Sequence, residues 1–507
     1  MPQWITRPGW PGHLLAMAGG ALTTLALAPL DIWPLAVISI ALLYFGLREL
    51  RPGQAALRSW SYGFGLFASG TSWVYVSIHD YGAASPALAG LLTLGFVAGL
   101  GLFFALPGAL WARWFRRSEA PLPDALAFAA LWVAQEVFRG WFLTGFPWLY
   151  AGYSQLSGPL AGLAPVGGVW LLSFVLALSA ALIVNLNALR PKKPFYIAAV
   201  ILLLAPWGAG LALQDHPWTS AKDQPLKVAA IQGNVAQNLK WDPAQLNAQL
   251  ALYRDLSFSA KPVDLLIWPE TAIPVLKDQA QGYIGVMDRF ARERNMALIT
   301  GVPVRQPNAQ GEMRYYNAIT SFGEGQGTYF KQKLVPFGEY VPLQEILRGL
   351  IAFFDLPMSD FAPGPSDQPP LLAKGYRIAP YICYEVVYPD FAAQLAAQSD
   401  ILLTVSNDAW FGTSIGPLQH LQMAQMRALE AGRWMIRATN NGVTVLIDPQ
   451  GRVKEWLPQF EQAVLYGEVQ AMQGLTPYLQ WRNWPLAILC ALLLGWALLA
   501  SRMAKTV

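Results

Sequence analysis

Residues 378–383 read IAPYIC, a short apolar run that ends at the thiol of Cys383. Short apolar runs bounded by turn residues are typical of buried strands. Runs of the same kind occur at Lys227–Gln232, Asp264–Trp268, Ala297–Val302 and Ile401–Ser406. Helices are predicted at residues 243–259, 276–295, 389–398 and 417–433, and closing strands at residues 442–447 and 463–469. Strands that alternate with helices predict an α/β layered domain, which we place at residues 214–480.

Three polar side chains collect at strand ends. Glu270 follows DLLIW and a proline, Lys331 follows GTYF, and Cys383 ends IAPYIC. A carboxylate, an ammonium and a thiol at neighbouring strand ends can converge on one pocket. Such a set suits nucleophilic acyl transfer, because a base must take the thiol proton and a cation can stabilise the oxyanion. Taken one at a time, each residue fits a structural role better, so spacing alone does not single out the three.

The rest of the chain has the composition of a membrane protein. The sequence is 54% hydrophobic and 13% charged, far from the averages of soluble domains. A bilayer core takes about 20 apolar residues as a helix, and residues 1–213 and 481–507 supply eight candidate spans. They are 12–30, 33–48, 60–78, 87–110, 124–142, 163–186, 195–213 and 484–501.

Basic residues fall on one side of these predicted spans. They follow spans two, four, six and eight, whereas the short loops at 31–32, 79–86 and 143–162 contain no Lys or Arg. By the positive-inside rule, both termini are cytoplasmic and the 214–480 domain faces the opposite side. In span five, Glu136 and Arg139 can pair at i,i+3, and they are either lipid-facing functional residues or a structural pair that locks two helices.

Several classes of function find no support in the sequence. The net charge of +4 comes without a basic run that could follow a phosphate backbone, so no nucleic-acid partner is expected. The two cysteines, Cys383 and Cys490, form no CxxC, and the four histidines lack ligand spacing; no metal or cofactor is expected. Residues 412–416 (GTSIG) fit the G-x-S-x-G elbow pattern, but the only later histidine is six residues from Ser414, which argues against a serine hydrolase.

Three longer motifs make the chain recognisable. They are Trp268–Thr271 (WPET), Lys331–Glu339 (KQKLVPFGE) and Cys383–Glu385 (CYE), and they resemble the Glu-Lys-Cys signatures of the nitrilase superfamily. With the eight predicted spans, and with stretches such as LALAPLDIWPLA and SNDAWFG, the whole chain resembles the bacterial apolipoprotein N-acyltransferases. These motifs in this order, within this topology, are highly specific.

The resemblance implies a nitrilase-like α-β-β-α sandwich on the periplasmic side of a multi-pass protein of the bacterial inner membrane. It also implies transfer of the sn-1 acyl chain of a phospholipid, typically phosphatidylethanolamine. The acceptor is the α-amino group of the diacylglyceryl-cysteine of an apolipoprotein. A membrane-tethered amidase of the nitrilase type is the alternative, since the same residues can use water as acceptor. A transporter with an outer binding domain is a second rival, and it would survive loss of Cys383.

By the same resemblance, Glu270 is the general base, Lys331 stabilises the tetrahedral intermediate and Cys383 is the nucleophile. Supporting roles carry over to Glu339, Glu385, Tyr384, Trp241 and Asn407. Lys333 competes with Lys331 in the same motif, but the family places its lysine eight residues before the glutamate of FGE. Finally, the apolar residues 346–358 predict either a lid that dips into lipid through Phe353 and Phe354 or a short buried helix.

Overall fold

The computed structural model describes residues 5–117, 119–191, 193–308, 310–336, 338–340 and 361–503. The chain forms two compact units. The first, here the helical unit, comprises Met1–Tyr75, Pro86–His216 and Trp481–Val507; the second, the sandwich unit, comprises Val76–Ser85 and Pro217–Gln480. The predicted lid at 346–358, with Phe353 and Phe354, lies outside the described residues.

Helices overlap all eight predicted spans. They are α1 (Trp10–Leu25), α2 (Pro34–Leu47), α3 (Pro52–Gly70), α4 (Pro86–Leu110), α5 (Pro121–Arg139), α6 (Ala164–Leu189), α7 (Lys193–Leu213) and, at the end of the chain, α12 (Trp484–Met503). Proline opens α2, α3, α4 and α5, where its missing N–H would have had no partner in the helix. The third helix runs from Pro52 to Gly70 rather than over 60–78, because the proline starts it early.

Three segments of the helical unit are long and apolar enough to cross a membrane. Within the described residues these are Pro86–Phe115, Ala161–Leu189 and Lys193–Leu213, while Pro34–Leu47 and Trp484–Leu499 are apolar but shorter. The most apolar windows of Pro86–Phe115 and Lys193–Leu213 are mostly exposed. Apolar surface of this extent is unfavourable in water, so the chain is a membrane protein.

The sandwich unit contains two sheets of mixed strand direction. One has the order β14-β2-β3-β4-β5-β7 and the other the order β13-β12-β11-β10-β9-β8-β6. The first consists of β2 (Leu226–Gln232), β3 (Leu265–Ile267), β4 (Ala297–Pro307), β5 (Met313–Gly323), β7 (Thr328–Phe330) and β14 (Ala463–Val469). The second consists of β6 (Gly325–Gln326), β8 (Leu371–Ala373), β9 (Tyr376–Ile382), β10 (Ile401–Ser406), β11 (Met435–Thr439), β12 (Val445–Ile447) and β13 (Val453–Trp456). A two-stranded ribbon joins β1 (Ser220–Ala221) to β15 (Met472–Gln473).

The strands at the centre of each sheet are parallel. β2, β3 and β4 run parallel, as do β9, β10 and β11. The helices are α8 (Leu246–Phe258), α9 (Gln281–Glu293), α10 (Pro389–Ala396) and α11 (Gly416–Ala431). Residues of α8 and α9 form a buried apolar core with β2, β3 and β4, centred on Trp268. Because the carboxyl ends of parallel strands meet at one edge of a sheet, functional side chains are expected there.

A segment distant in sequence completes the sandwich unit. In Val76–Ser85, the Ser77 hydroxyl donates to the Trp410 carbonyl over 2.8 Å. The Tyr81 ring packs edge-on against the Trp410 ring at 5.9 Å. Residues 76–85 therefore cover the turn that follows β10.

Candidate active site

Glu270 lies just after β3, and its carboxylate is held from three sides. Oε1 accepts a hydrogen bond from Asn317 Nδ2 at 2.7 Å and lies 3.5 Å from Lys331 Nζ. Oε2 accepts from the backbone N–H of Asn407 at 2.9 Å. The residue is 7% exposed, so this carboxylate is fixed in orientation and shielded from bulk water.

Lys331 follows β7 and lies between two carboxylates. Its Nζ is 2.8 Å from each oxygen of Glu339, and the Asn317 amide also donates to Glu339 at 3.0 Å. Burial alone would lower the pKa of Lys331, but Glu339 and then Glu270 hold it above its usual value. The ammonium is therefore a permanent positive charge in the site.

The other lysine of the motif lies elsewhere. Lys333 is exposed, and its Nζ lies over the Tyr388 ring at 5.5 Å from the centroid. The structure therefore brings Lys331, and not Lys333, beside Glu270.

Cys383 is the residue at which β9 turns into a short 3₁₀ helix, Cys383–Val387. Its φ of +52° is left-handed, a conformation that costs a residue with a side chain about 1 kcal/mol or more and marks functional turns. Burial, and after it the negative charge of Glu270, raise the pKa of the Cys383 thiol to about 12, although Lys331 opposes them. At neutral pH the group is a thiol, so it needs a base at the moment of attack.

A buried polar network supports the backbone of this turn. His420 Nε2 lies 3.1 Å from the Cys383 carbonyl oxygen; because a carbonyl only accepts, Nε2 carries the proton. Burial and the charge of Arg437 lower the pKa of His420, so the ring is neutral and its Nδ1 can accept from Arg437 at 3.2 Å. Arg437 also donates to Asp408 at 2.6 Å, and all three side chains are at most 2% exposed.

Glu385 joins the cysteine turn to the lysine loop. Its carboxylate accepts from the Tyr329 hydroxyl at 2.9 Å and from the backbone N–H groups of Gln332, Lys333 and Ile382 at 2.6, 3.2 and 2.8 Å. Burial raises the pKa of Glu385 to about 7, despite these bonds. Its placement is that of a residue that positions both loops.

The other supporting residues lie around this centre. Asn407 donates its backbone N–H to Glu270 and its side-chain amide to Gln237 at 2.6 Å. Tyr384 is buried and packs edge-on against Tyr388. Trp241 is half-buried, and its indole N–H is shielded from solvent without a hydrogen-bond partner among the described residues.

Glu136 and Arg139 of α5 are both buried, at 1% exposure each. One oxygen of Glu136 accepts from the Trp132 indole at 3.0 Å and from the Ala151 backbone N–H at 2.9 Å. Arg139 donates to the carbonyls of Phe146 and Trp148. These contacts tie both side chains to the segment that follows α5; whether the two residues meet lipid or lock two helices stays a prediction.

The structure also places two other patterns of the sequence. In the part of the chain that the structure describes, no group of three or more His, Cys, Asp or Glu could hold a metal ion. Ser414, in the GTSIG segment, accepts from the Gly416 N–H, while His420 contacts Cys383. The elbow pattern at 412–416 is therefore a glycine turn before α11.

Comparison with known proteins matches two family models, one lying mostly in the helical unit and one within the sandwich unit. Residues 19–182 match the model of the apolipoprotein N-acyltransferase N-terminal domain, and residues 227–478 match that of carbon-nitrogen hydrolases. The chain is 74% identical to the apolipoprotein N-acyltransferase of Pseudomonas putida, covering 100% of both chains. It is 38% identical to that of Coxiella burnetii, covering 93% of this chain and 96% of the other.

The chain belongs to the apolipoprotein N-acyltransferase family. Among solved structures, Saccharomyces cerevisiae Nit3, a member of the nitrilase superfamily, aligns with 50% of this chain and 93% of its own at 18% identity and a TM-score of 0.37.

Three residues of this apolipoprotein N-acyltransferase site were not predicted from the sequence. Asn317 bridges Glu270 and Glu339, and His420 supports the Cys383 turn. Lys240 is 5% exposed, and its Nζ donates to the Glu270 carbonyl at 3.0 Å. The available signals were weak: His420 is a lone histidine, and Lys240 stands in a polar loop before WDP.

Proposed function

We propose that this protein is a phospholipid-dependent N-acyltransferase. It transfers the sn-1 acyl chain of a phospholipid, phosphatidylethanolamine in the first place, to the α-amino group of the diacylglyceryl-cysteine of apolipoproteins. The observation that carries the proposal is a thiol at a left-handed turn, electrostatically coupled to a fixed carboxylate and a buried ammonium. That this site belongs to a chain with exposed apolar helices supports a lipid as the acyl donor.

The proposed setting is a bacterial inner membrane, spanned eight times. Residues 1–213 hold seven spans, residues 214–480 form the periplasmic catalytic domain, and residues 481–507 hold the last span. Both termini are cytoplasmic. The basic clusters after every second span support this orientation.

In the proposed first half-reaction, Glu270 takes the proton of Cys383 as the sulfur attacks the ester carbonyl carbon. The carbonyl oxygen becomes an oxyanion, which Lys331 stabilises because its charge is fixed nearby before the reaction begins. The C–O bond to the glycerol then breaks, and the leaving oxygen takes the proton from Glu270. A lysophospholipid departs and a thioester remains on Cys383.

In the second half-reaction, the acceptor amine attacks the thioester carbonyl carbon. Glu270 takes a proton from the nitrogen in the tetrahedral intermediate, and the C–S bond breaks. Glu270 returns that proton to the sulfur, which restores the Cys383 thiol and releases the amide.

Mass spectrometry of the purified protein tests this sequence. Incubation with phosphatidylethanolamine should add one acyl chain to Cys383, and a diacylglyceryl-cysteine peptide should then remove it as an N-acyl product. Cys383→Ala should form no thioester and Cys383→Ser should be severely impaired, whereas the matched change Cys490→Ala should act like the wild type. Near-normal transfer by Cys383→Ala would overturn the assignment of the nucleophile.

The same experiment separates the amidase alternative. A nitrilase-type amidase would pass its acyl group to water rather than to the peptide. Thioester that decays to free fatty acid in the presence of the acceptor would favour that alternative.

A further inference from the structure

The proposed transfer leaves one proton without an acceptor. An α-amino group has an ordinary pKa of about 7.7–8.0, so most of the acceptor arrives as an ammonium at neutral pH. Thioester and ammonium give amide, thiol and one further proton. Glu270 returns one proton to the sulfur; the other must leave the nitrogen before attack, because an ammonium has no lone pair.

Lys240 is placed to receive that proton. It lies between β2 and α8, and its Nζ donates to the Glu270 carbonyl oxygen at 3.0 Å. Among the residues that the structure describes, this is the one hydrogen bond of Nζ, although the side chain is only 5% exposed. A buried amine that uses one donor leaves its remaining hydrogen-bonding capacity for a substrate.

The loop around Lys240 is anchored on both sides. The Gln249 amide donates to the Leu239 carbonyl at 2.8 Å, and Gln237 accepts from Asn407 at 2.6 Å. Since Asn407 also binds Glu270, the loop and the general base are fixed in the same network.

Burial keeps part of the Lys240 amine in its neutral, basic form. It lowers the pKa of Lys240 to about 8, against the opposing negative charge of Glu270, after β3. About a tenth of such an amine is neutral at pH 7. An ordinary lysine, with a pKa of about 10.4, would be a far weaker supply of free base.

We propose that Lys240 is the second base of the transfer, on the basis of its buried Nζ, which donates to the backbone carbonyl of Glu270. This rests on the proposed function. The neutral Nζ takes one proton from the acceptor's α-ammonium, which frees the nitrogen lone pair for attack on the Cys383 thioester. Lys240 then gives that proton to solvent, while Glu270 moves the second proton to the sulfur.

The test measures the two half-reactions separately. Lys240→Arg keeps a positive charge and a donor to the Glu270 carbonyl, but a guanidinium does not deprotonate in proteins. Each variant is first loaded from phosphatidylethanolamine without acceptor; the diacylglyceryl-cysteine peptide is then added, and acyl-Cys383 and amide are followed by mass spectrometry. Lys261→Arg, at an exposed lysine over the Tyr466 ring, is the matched control.

Lys240→Arg should load at the wild-type rate and transfer about tenfold more slowly at pH 7, because only about a tenth of the acceptor is already free amine at that pH. The deficit should shrink as the pH rises past the pKa of the acceptor amine, because solvent then supplies the free amine. Normal transfer by Lys240→Arg, or a deficit that does not change with pH, would overturn the proposal.

Lys240→Gln provides the second variant, since its amide can still donate to the Glu270 carbonyl but accepts no proton. If Lys240→Arg does not form the Cys383 thioester, Lys240→Gln is the informative variant. Thioester formation at the wild-type rate with slow transfer to the peptide would support Lys240 as the second base. Equal losses in both half-reactions for both variants mean that Lys240 only positions Glu270. A wild-type protein that forms no acyl-Cys383 would instead overturn the proposed function.

Discussion

At the scale of the residue, Glu270 has two opposite effects on Cys383. In its proposed role as the base it makes attack possible, but as a negative charge it raises the pKa of the thiol. Glu270→Gln should therefore reduce acyl transfer at least about 100-fold while lowering the thiol pKa. Alkylation by the uncharged reagent iodoacetamide should then rise at a lower pH than in the wild type.

This prediction is checked by following alkylation of Cys383 against pH, with Cys490→Ala in both proteins to remove the other thiol. A Glu270→Gln protein whose alkylation profile moves to higher pH would contradict the assigned electrostatics. Such a shift would mean that the carboxylate does not act on the sulfur as an anion.

Asp408 supplies the negative charge for the fully buried Arg437. Burial alone would raise the pKa of Asp408, but the positive charge of Arg437 holds it well below its usual range. Asp408→Ala leaves the guanidinium buried and unpaired, which should cost about 3–5 kcal/mol of stability. Thermal unfolding in detergent should show a large fall in Tm.

The exposed pair Arg305–Asp278 offers the matched control, with an N–O distance of 2.6 Å. Asp278→Ala should change Tm little, because solvent screens an exposed ion pair. Similar Tm losses for the two variants would show that the buried network contributes no more than a surface pair.

Glu270, Lys331 and Cys383 could be picked out from the sequence through the nitrilase-like motifs that contain them, whereas their positions at strand ends alone did not single them out. Asn317 could not, since it lies inside β5 and its importance comes from the two carboxylates that its amide contacts. Lys240 could not either, because a lysine in a polar loop is ordinarily solvated. Its burial depends on Glu270, which is 30 residues away in the chain.

At the scale of the element, β4 passes very close to the turn that carries Glu270. A Cβ added at Gly301 would lie 2.3 Å from the Thr271 backbone nitrogen and 2.8 Å from the Glu270 Cα. Gly301→Ala should therefore displace the general base, lowering Tm and reducing acyl transfer at least about tenfold. One ångström of misplacement can cost considerably more.

Gly285, in the middle of α9, is the control, because a Cβ there meets nothing within 4 Å. Gly285→Ala should leave transfer unchanged and add up to about 1 kcal/mol of stability through helix propensity. Equal activity of the two alanine variants would show that the turn at Glu270 tolerates displacement.

The predicted strands at 227–232, 264–268, 297–302, 378–383 and 401–406 all correspond to strands of the structure. β5 was not predicted from the sequence. The outer halves of β4 and β5 are partly exposed and polar, and therefore form no continuous apolar run. The predicted helix 276–295 begins only at Gln281. Before it, the Gln279 N–H donates to the Leu276 carbonyl and closes a separate turn.

At the scale of the whole molecule, the proposed orientation can be tested by labelling. In a protein without Cys383 and Cys490, a single cysteine replaces either Glu49, which follows α2, or Glu455, in β13; both positions are exposed. A membrane-impermeant maleimide should label Glu455→Cys in intact spheroplasts and Glu49→Cys only after lysis. Labelling of Glu49→Cys in intact spheroplasts would contradict cytoplasmic placement of that loop.

The ten residues at 76–85 have a consequence for how the enzyme can be divided. A gene fragment that begins at residue 217 and ends at residue 480 encodes most of the sandwich but not the strip that covers Trp410. A water-soluble version therefore needs that strip grafted back through a linker.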